Sequence, residues 1–112
     1  MSEQPNKKAP QKAERRWTFL SNHAHALLCV ASEPEMRIRD MAASIGITER
    51  AVQMILSNLE EEGLVQHRRE GRRNVYTLHL DSPLRHPLES HRSVRELIEL
   101  LLEGRESGGS DE

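Results

Sequence analysis

Apolar residues in the middle of the chain recur at the spacing of two short helices. The segment RDMAASIGITERAVQMILSNLEEEG places its apolar and small residues three or four positions apart once a turn is allowed at Gly46. Gly46 stands where the chain has to bend with a positive φ, which glycine adopts at little cost. Thr48 is a good N-cap for the second helix, and Gly63 follows that helix as a C-cap glycine. The pattern predicts helices over roughly 39–45 and 48–62.

Residues 64–80, LVQHRREGRRNVYTLHL, alternate between apolar and polar side chains as a β-hairpin does. Val65 alternates with polar neighbours on the outgoing strand, and Tyr76 and Leu78 do so on the return strand. The residues EGRR between them predict the turn. Residues 36–38 are long enough for a short strand that could join the hairpin as a third strand.

Helices are also expected on either side of this central region. The first begins after Ser21, a good N-cap, and runs to about Ser32, because Pro34 disfavours helix in the residue before it. The last is expected to begin near Pro87, which suits a first-turn position, and to end at Gly104. The apolar positions of this last helix are Leu88, Val94, Leu97, Ile98, Leu100, Leu101 and Leu102.

These elements predict a mainly α fold with a small β-hairpin. It is a winged helix-turn-helix in the order α-(β)-α-α-β-β-α, with a C-terminal helix suited to dimerisation. Residues 1–16 are expected to form a disordered basic tail and 105–112 a disordered acidic tail, since both are polar. Between them we expect a DNA-binding domain over 17–80 and a connector with the dimerisation helix over 81–104.

Composition narrows the class of protein further. With 112 residues, 36% of them hydrophobic and 3% aromatic, the chain has room for one small domain with an aliphatic core. A single cysteine, Cys29, excludes an internal disulfide and fits a reducing compartment. No signal region or membrane span is present, and no catalytic or cofactor motif. We expect a soluble cytoplasmic protein, associated with the nucleoid, that is not an enzyme and uses no cofactor.

Positive charge is concentrated in two places, although the formal net charge is −2. Residues 1–16 sum to +3, and the hairpin 64–80 also sums to +3, from four arginines and one glutamate. The remaining segments are acidic. The basic segments are therefore where phosphates would be neutralised, although such runs are also found as solvated surface.

The histidines and Cys29 do not form a metal-binding pattern. His23 and His25 are two positions apart, so on a helix they point in nearly opposite directions. Only His25 and Cys29 share a face, and no thiolate pair or His-x3-His spacing occurs. No metal site is expected, and Cys29 is interpreted as a small core residue.

The run GITERAVQMILSNLEEEGLVQHRREGRRNVYTL resembles the core of ArsR- and MarR-type winged-helix regulators, over about residues 36–80. The flanking segments WTFLSNHAHALLCVA and PLRHPLESHRSVRELIELL are similar to a group of short bacterial regulators of this type. The resemblance implies a homodimeric, repressor-like transcription regulator whose partner is double-stranded DNA. It leaves open an unidentified small-molecule effector.

By the same resemblance, the second motif helix presents its outer face to the major groove, with Thr48, Glu49, Arg50, Gln53, Met54 and Ser57. Arg50 suits guanine and Gln53 suits adenine. Thr48 and Ser57 suit phosphate oxygens. Glu49 either reads a cytosine amino group or caps its own helix. The alternative is that this is an ordinary solvated helix face.

Four arginines, Arg68, Arg69, Arg72 and Arg73, surround the turn of the hairpin, or wing. In related regulators the wing reaches the minor groove or the flanking phosphates, and arginine suits both. Strand alternation puts Arg68 and Arg69 on opposite faces, so all four cannot contact DNA. Arg72 and Arg73 are the stronger candidates.

Surplus apolar surface predicts a homodimer. The last helix has more apolar positions than the single stripe of an ordinary surface helix, so one side is free for a partner. The expected interface residues are Trp17, Phe19, Leu88, Val94, Leu97, Ile98, Leu101 and Leu102. Two alternatives remain: that this helix packs wholly within its own chain, and that the domain is a protein–protein interaction module that does not read DNA.

Overall fold

The computed structural model describes residues 17–111, with side chains through Glu103. The predicted basic tail over residues 1–16 lies outside this range. The helices and strands are α1 (Asn22–Ser32), α2 (Ile38–Ile45), α3 (Glu49–Glu61), β1 (Val65–Glu70), β2 (Arg73–Leu78) and α4 (Val94–Asp111).

Helix α1 begins and ends where the local signals place it. The Ser21 hydroxyl oxygen accepts a hydrogen bond from the Ala24 amide at 3.4 Å, as an N-cap does. The helix ends at Ser32, and the Glu33 amide closes it by donating to the Cys29 carbonyl at 2.9 Å. Cys29 is buried with the core, as expected for a small apolar residue.

The turn between α2 and α3 has the predicted geometry. Gly46 adopts a φ of 91°, and its amide donates to the Ala42 carbonyl at 2.8 Å. Thr48 Oγ1 then accepts from the Ala51 amide at 3.0 Å and caps α3. Both helices begin and end within about one residue of the predicted bounds, which is the usual uncertainty of a helix end.

Gly63 reverses the chain after α3. Its φ of +80° lies in the left-handed region. The Gly63 amide donates to the Glu60 carbonyl at 3.0 Å, and the Leu64 amide reaches back to the Leu59 carbonyl at 3.0 Å. This closure satisfies carbonyls that the helix end would leave unpaired, and it directs the chain into β1.

The hairpin pairs Val65 with Leu78 and Glu70 with Arg73, so the turn falls on the predicted EGRR. The possible third strand over residues 36–38 is not formed in the described part of the chain, where the sheet has two strands. Ile38 instead begins α2. The loop before α2 instead contacts the hairpin through a backbone hydrogen bond from the Tyr76 amide to the Pro34 carbonyl at 2.9 Å.

The core draws on every helix and on the hairpin. Its most deeply buried large side chains are Val30, Met41, Val52, Val65 and Ile98, one each from α1, α2, α3, β1 and α4. Tyr76 is buried as well, and burial raises the pKa of its phenol above the usual value, the hydrogen bond from Asn74 opposing this shift. The core is aliphatic, as the composition predicts.

Helix α4 begins later than predicted. Pro87 and Leu88 lie in a series of turns, and the helix starts at Val94. The Ser93 hydroxyl accepts from the Glu96 amide at 3.1 Å, while Glu96 Oε1 accepts from the Ser93 amide at 2.8 Å. This reciprocal capping box determines the start, and it outweighs the preference of proline for a first turn.

The hydrogen bond from the Ser93 amide, assisted by Arg92, also lowers the pKa of Glu96. At its other end, α4 continues past the predicted Gly104 to Asp111. Within residues 17–111, neither α4 nor any other helix has the length and apolar character needed to span a membrane.

Candidate nucleic-acid interface

Helix α3 separates a buried face from a polar outer face. Val52, Ile55 and Leu56 are buried in the core. The residues expected on the outer face are all exposed: Thr48, Glu49, Arg50, Gln53, Met54 and Ser57. The burial of these side chains therefore agrees with the predicted division of α3 into a buried face and an exposed face.

The N-terminal half of α3 offers side chains that are available to a ligand. Within the described residues, neither Arg50 nor Gln53 takes part in an ion pair or a side-chain hydrogen bond. Thr48 Oγ1 accepts from an amide when it caps the helix, so its hydroxyl proton remains available to a phosphate oxygen. Glu49 lies in the first turn of the helix, where a negative charge interacts favourably with the helix dipole.

The wing arginines differ in their partners. Arg68 pairs with Glu70 at 2.6 Å, and Arg69 Nε donates to the Gly71 carbonyl at 3.3 Å. Arg73 Nη1 donates to Glu35 Oε1 at 2.9 Å, which links the wing to the loop before α2. Among the described residues, Arg72 has no such partner. The sequence favours Arg72 and Arg73 equally as DNA contacts. Of these two, Arg72 is the uncommitted one, meaning that it has no ion pair or side-chain hydrogen bond within the described residues.

A groove of about 500 Å³ lies between the wing and the loop before α2. Arg37, Arg72 and Arg73 line it, with Glu35 as the acidic side chain of the set. Met36 and Tyr76 form part of its apolar surface. This side of the wing is therefore electropositive even though the whole chain is not.

A second link joins the wing to α3. His67 Nδ1, on β1, donates to Glu60 Oε2 near the end of α3 at 2.5 Å, and the His67 ring lies 6.0 Å from that of Tyr76. Nothing in the sequence pattern assigns a function to His67. A histidine opposite a carboxylate across a helix–strand junction cannot be recognised until the two elements are placed.

The other histidines make local hydrogen bonds rather than a cluster. His23 Nε2 donates to Asn58 Oδ1 at 3.2 Å, and His25 Nδ1 donates to Asn22 Oδ1 at 3.0 Å. In the part of the chain that the structure describes, no three His, Cys, Asp or Glu side chains are grouped so as to hold a metal ion.

The expected interface residues fall into three groups by burial. Val94 and Ile98 are 6% and 1% exposed, so they seal the core of their own chain. Trp17, Phe19 and Leu88 are 78%, 91% and 84% exposed. The half-buried group consists of Leu97, Leu101 and Leu102. Leu100, which was not among the expected interface residues, is 65% exposed.

No protein-family model matches the sequence, and neither does any curated protein. Solved structures of similar fold do exist. The Staphylococcus aureus transcription regulator MepR has a TM-score of 0.51 and 15% identity, with 91% of this chain and 71% of MepR covered. A predicted DNA-binding transcriptional regulator from E. coli has a TM-score of 0.50 and 18% identity, with 71% of this chain and 73% of that chain covered.

The Streptomyces coelicolor transcriptional regulator PcaV shares 24% identity at a TM-score of 0.48. That match covers 54% of this chain and spans only 45% of PcaV. The fold assignment rests on the two structures with the higher scores. All three proteins are described as transcription regulators.

The class that the fold defines follows from these observations. The chain is a winged helix-turn-helix protein, with α2 and α3 as the bihelical motif and β1–β2 as the wing. The winged-helix fold that the sequence predicts is confirmed by these two structures.

Proposed function

We propose that this chain is a sequence-specific, double-stranded DNA-binding transcription regulator that acts as a homodimer, with a repressor-like role. The observation that carries the proposal is the outer face of α3, which is exposed and polar and lies beside a wing with an uncommitted arginine. A helix of this shape fits the major groove of B-DNA.

Base readout is assigned to the N-terminal half of α3. Arg50 donates in a bidentate manner to guanine O6 and N7, and Gln53 pairs with adenine N6 and N7. Thr48 and Ser57 contact phosphate oxygens and fix the register of the helix. Because Arg50 and Gln53 have no partner among the described residues, DNA does not have to displace one.

The wing contributes a contact to the backbone or the minor groove through Arg72. Arg68, Arg69 and Arg73 keep the partners that they have in the free protein and shape the tip. The basic charge of the wing supplies a salt-dependent part of the affinity through the release of counterions. The chain can thus bind DNA despite its negative net charge, because positive charge is concentrated in the wing.

Dimerisation is assigned to α4 and the segment before α1. Trp17 and Phe19 pack edge to face, with ring centroids 4.8 Å apart, yet both are exposed. Leu100 adds an exposed apolar side chain on α4. A two-fold dimer would place two α3 helices about 34 Å apart, one turn of DNA.

The proposed regulator works in the cytoplasm, on nucleoid DNA. Residues 17–80 form its DNA-binding domain, and the connector and the start of the dimerisation helix lie within residues 81–104. An unidentified small-molecule effector is compatible with this organisation. The competing function is a winged-helix module that contacts proteins and does not read DNA. Arg50 and Arg72 have no partner among the described residues, and this favours the DNA-binding function. A neutral protein surface would offer these two positive charges no opposite charge to pair with.

In vitro selection from random duplex DNA, followed by a salt titration, tests the proposal. The parent protein should enrich a sequence with two related half-sites, and its affinity should fall steeply with salt. Arg50→Ala and Gln53→Ala should each cost about 1–3 kcal/mol at one base pair and relax the preference there. Glu61→Gln, at the exposed far end of α3, is the matched control and should return the parent's consensus. Recovery of random sequence by the parent would leave the interaction module as the function.

A further inference from the structure

One apolar side chain stands at the centre of the polar outer face of α3. Met54 is 61% exposed, and no other residue of that face is a large hydrophobic one. At about 100° per residue, Met54 points roughly 150° away from the centre of the buried stripe of Val52, Ile55, Leu56 and Leu59. It is therefore among the most outward-pointing side chains of the helix.

The surroundings of Met54 limit what can cover it. Arg50 lies one turn before it and Ser57 about one turn after it, both exposed. Asn58, four positions on, is held toward α1 by His23 at 3.2 Å. A purely apolar partner surface would bury these polar groups without hydrogen-bond partners, at a cost in free energy. The occupant has to offer one small apolar group among hydrogen-bonding groups.

The major groove of DNA offers such a group. The edges of its base pairs carry hydrogen-bond donors and acceptors, and the only apolar group among them is the C5-methyl of thymine. We infer that Met54 reads a thymine methyl group in each half-site, close to the bases contacted by Arg50 and Gln53. This inference rests on the proposed function and assigns a base-specific role to an apolar residue of the same face.

The same contact makes binding sensitive to base methylation. A 5-methylcytosine carries its methyl group at the same place in the groove as thymine does. Met54 would therefore accept a T·A pair or a methylated C·G pair better than an unmethylated C·G pair. Uracil, which lacks only this methyl group, isolates the contact without altering base pairing.

The test starts from the duplex obtained by selection with the parent protein. Each thymine of one half-site is replaced in turn by deoxyuridine, and Kd is measured. At one position the parent should lose about fourfold in affinity, the value of one buried methyl group. Replacing the same T·A pair by C·G should weaken binding further, and 5-methylcytosine there should recover about fourfold of the loss.

Two variants of Met54 show whether the side chain is responsible. Met54→Gln is nearly isosteric and polar, so it should bind the thymine and uracil duplexes equally well. Met54→Leu keeps an apolar side chain and should retain the discrimination. Circular dichroism should show the parent's helix content for both variants, because the position is exposed.

Failure of the inference is distinguishable from failure of the proposed function. If the parent selects a consensus but tolerates uracil at every thymine, the methyl contact is overturned and the regulator stands. If discrimination persists in Met54→Gln, another residue reads the methyl group and the inference is again overturned. If the parent binds no duplex DNA, both are overturned, and a change in sedimentation caused by Met54→Gln would then identify a protein contact instead.

Discussion

Helices α3 and α4 bury one side in the same core but expose surfaces of opposite chemistry. The outer face of α3 carries Arg50 and Gln53 around a single apolar residue. On α4 the exposed surface includes Leu100, at 65%, and the segment before α1 adds Phe19, at 91%. A polar face with uncommitted hydrogen-bond donors suits a polyanion, whereas exposed apolar side chains suit another apolar surface. We therefore expect these two surfaces to bind different partners.

The largest effect should come from the buried side of α4. Ile98 is 1% exposed, so Ile98→Ala should lower the free energy of unfolding by about 2–5 kcal/mol. Leu100→Ala, two residues away, should cost about 0.5 kcal/mol when both are measured by urea unfolding at a low protein concentration. Equal losses from the two variants would mean that the exposed side of α4 also belongs to the core.

The exposed side of α4 should matter for assembly instead. Phe19→Ser combined with Leu100→Glu should convert a dimer into a monomer and lower affinity for a two-half-site duplex by roughly 100-fold, because the second half-site is then bound independently. Met54→Gln is the matched control, since it removes a comparably exposed apolar side chain from α3. It should leave the oligomeric state unchanged. A parent protein that sediments as a monomer at micromolar concentration would contradict the dimer.

The smallest effect should separate two neighbouring arginines of the wing. Arg72→Ala should reduce the slope of log K against log salt by about 0.9 for each bound protomer, because one phosphate contact is lost. Arg73 is paired with Glu35 at 2.9 Å, so Arg73→Ala should leave that slope nearly unchanged. Glu35→Gln should behave like Arg73→Ala if the pair only positions the wing. Equal slopes for Arg72→Ala and Arg73→Ala would assign both arginines to the backbone.

The fold was predictable wherever a local signal decided the structure. Ser21, Gly46 and Thr48 each act through hydrogen bonds to residues within four positions, and all three mark the element ends that they predict. The start of α4 was equally local, since Ser93 and Glu96 form a capping box. The first-turn preference of Pro87 predicts an earlier start, whereas this capping box determines the observed one.

The rest of the candidate site depends on contacts between residues distant in the sequence. Arg73 and Glu35 lie 38 positions apart, so nothing in the composition of the wing distinguishes Arg73 from Arg72. The burial of Val94 and Ile98, as opposed to Leu100, likewise depends on how α4 is placed against α1. The periodicity of α4 shows that it has apolar surface, but it does not show which part the chain itself covers.

The hydrogen bond from the Tyr76 amide to the Pro34 carbonyl joins two backbone groups, and this determines how the wing can evolve. Substitutions other than proline at position 76 leave both groups in place, so this hydrogen bond requires neither side chain, although Tyr76 is also buried in the core. An inserted or deleted residue in the loop between α1 and α2 would move the acceptor away from the wing. The angle of the wing is therefore more sensitive to the length of this loop than to the side chain at position 34.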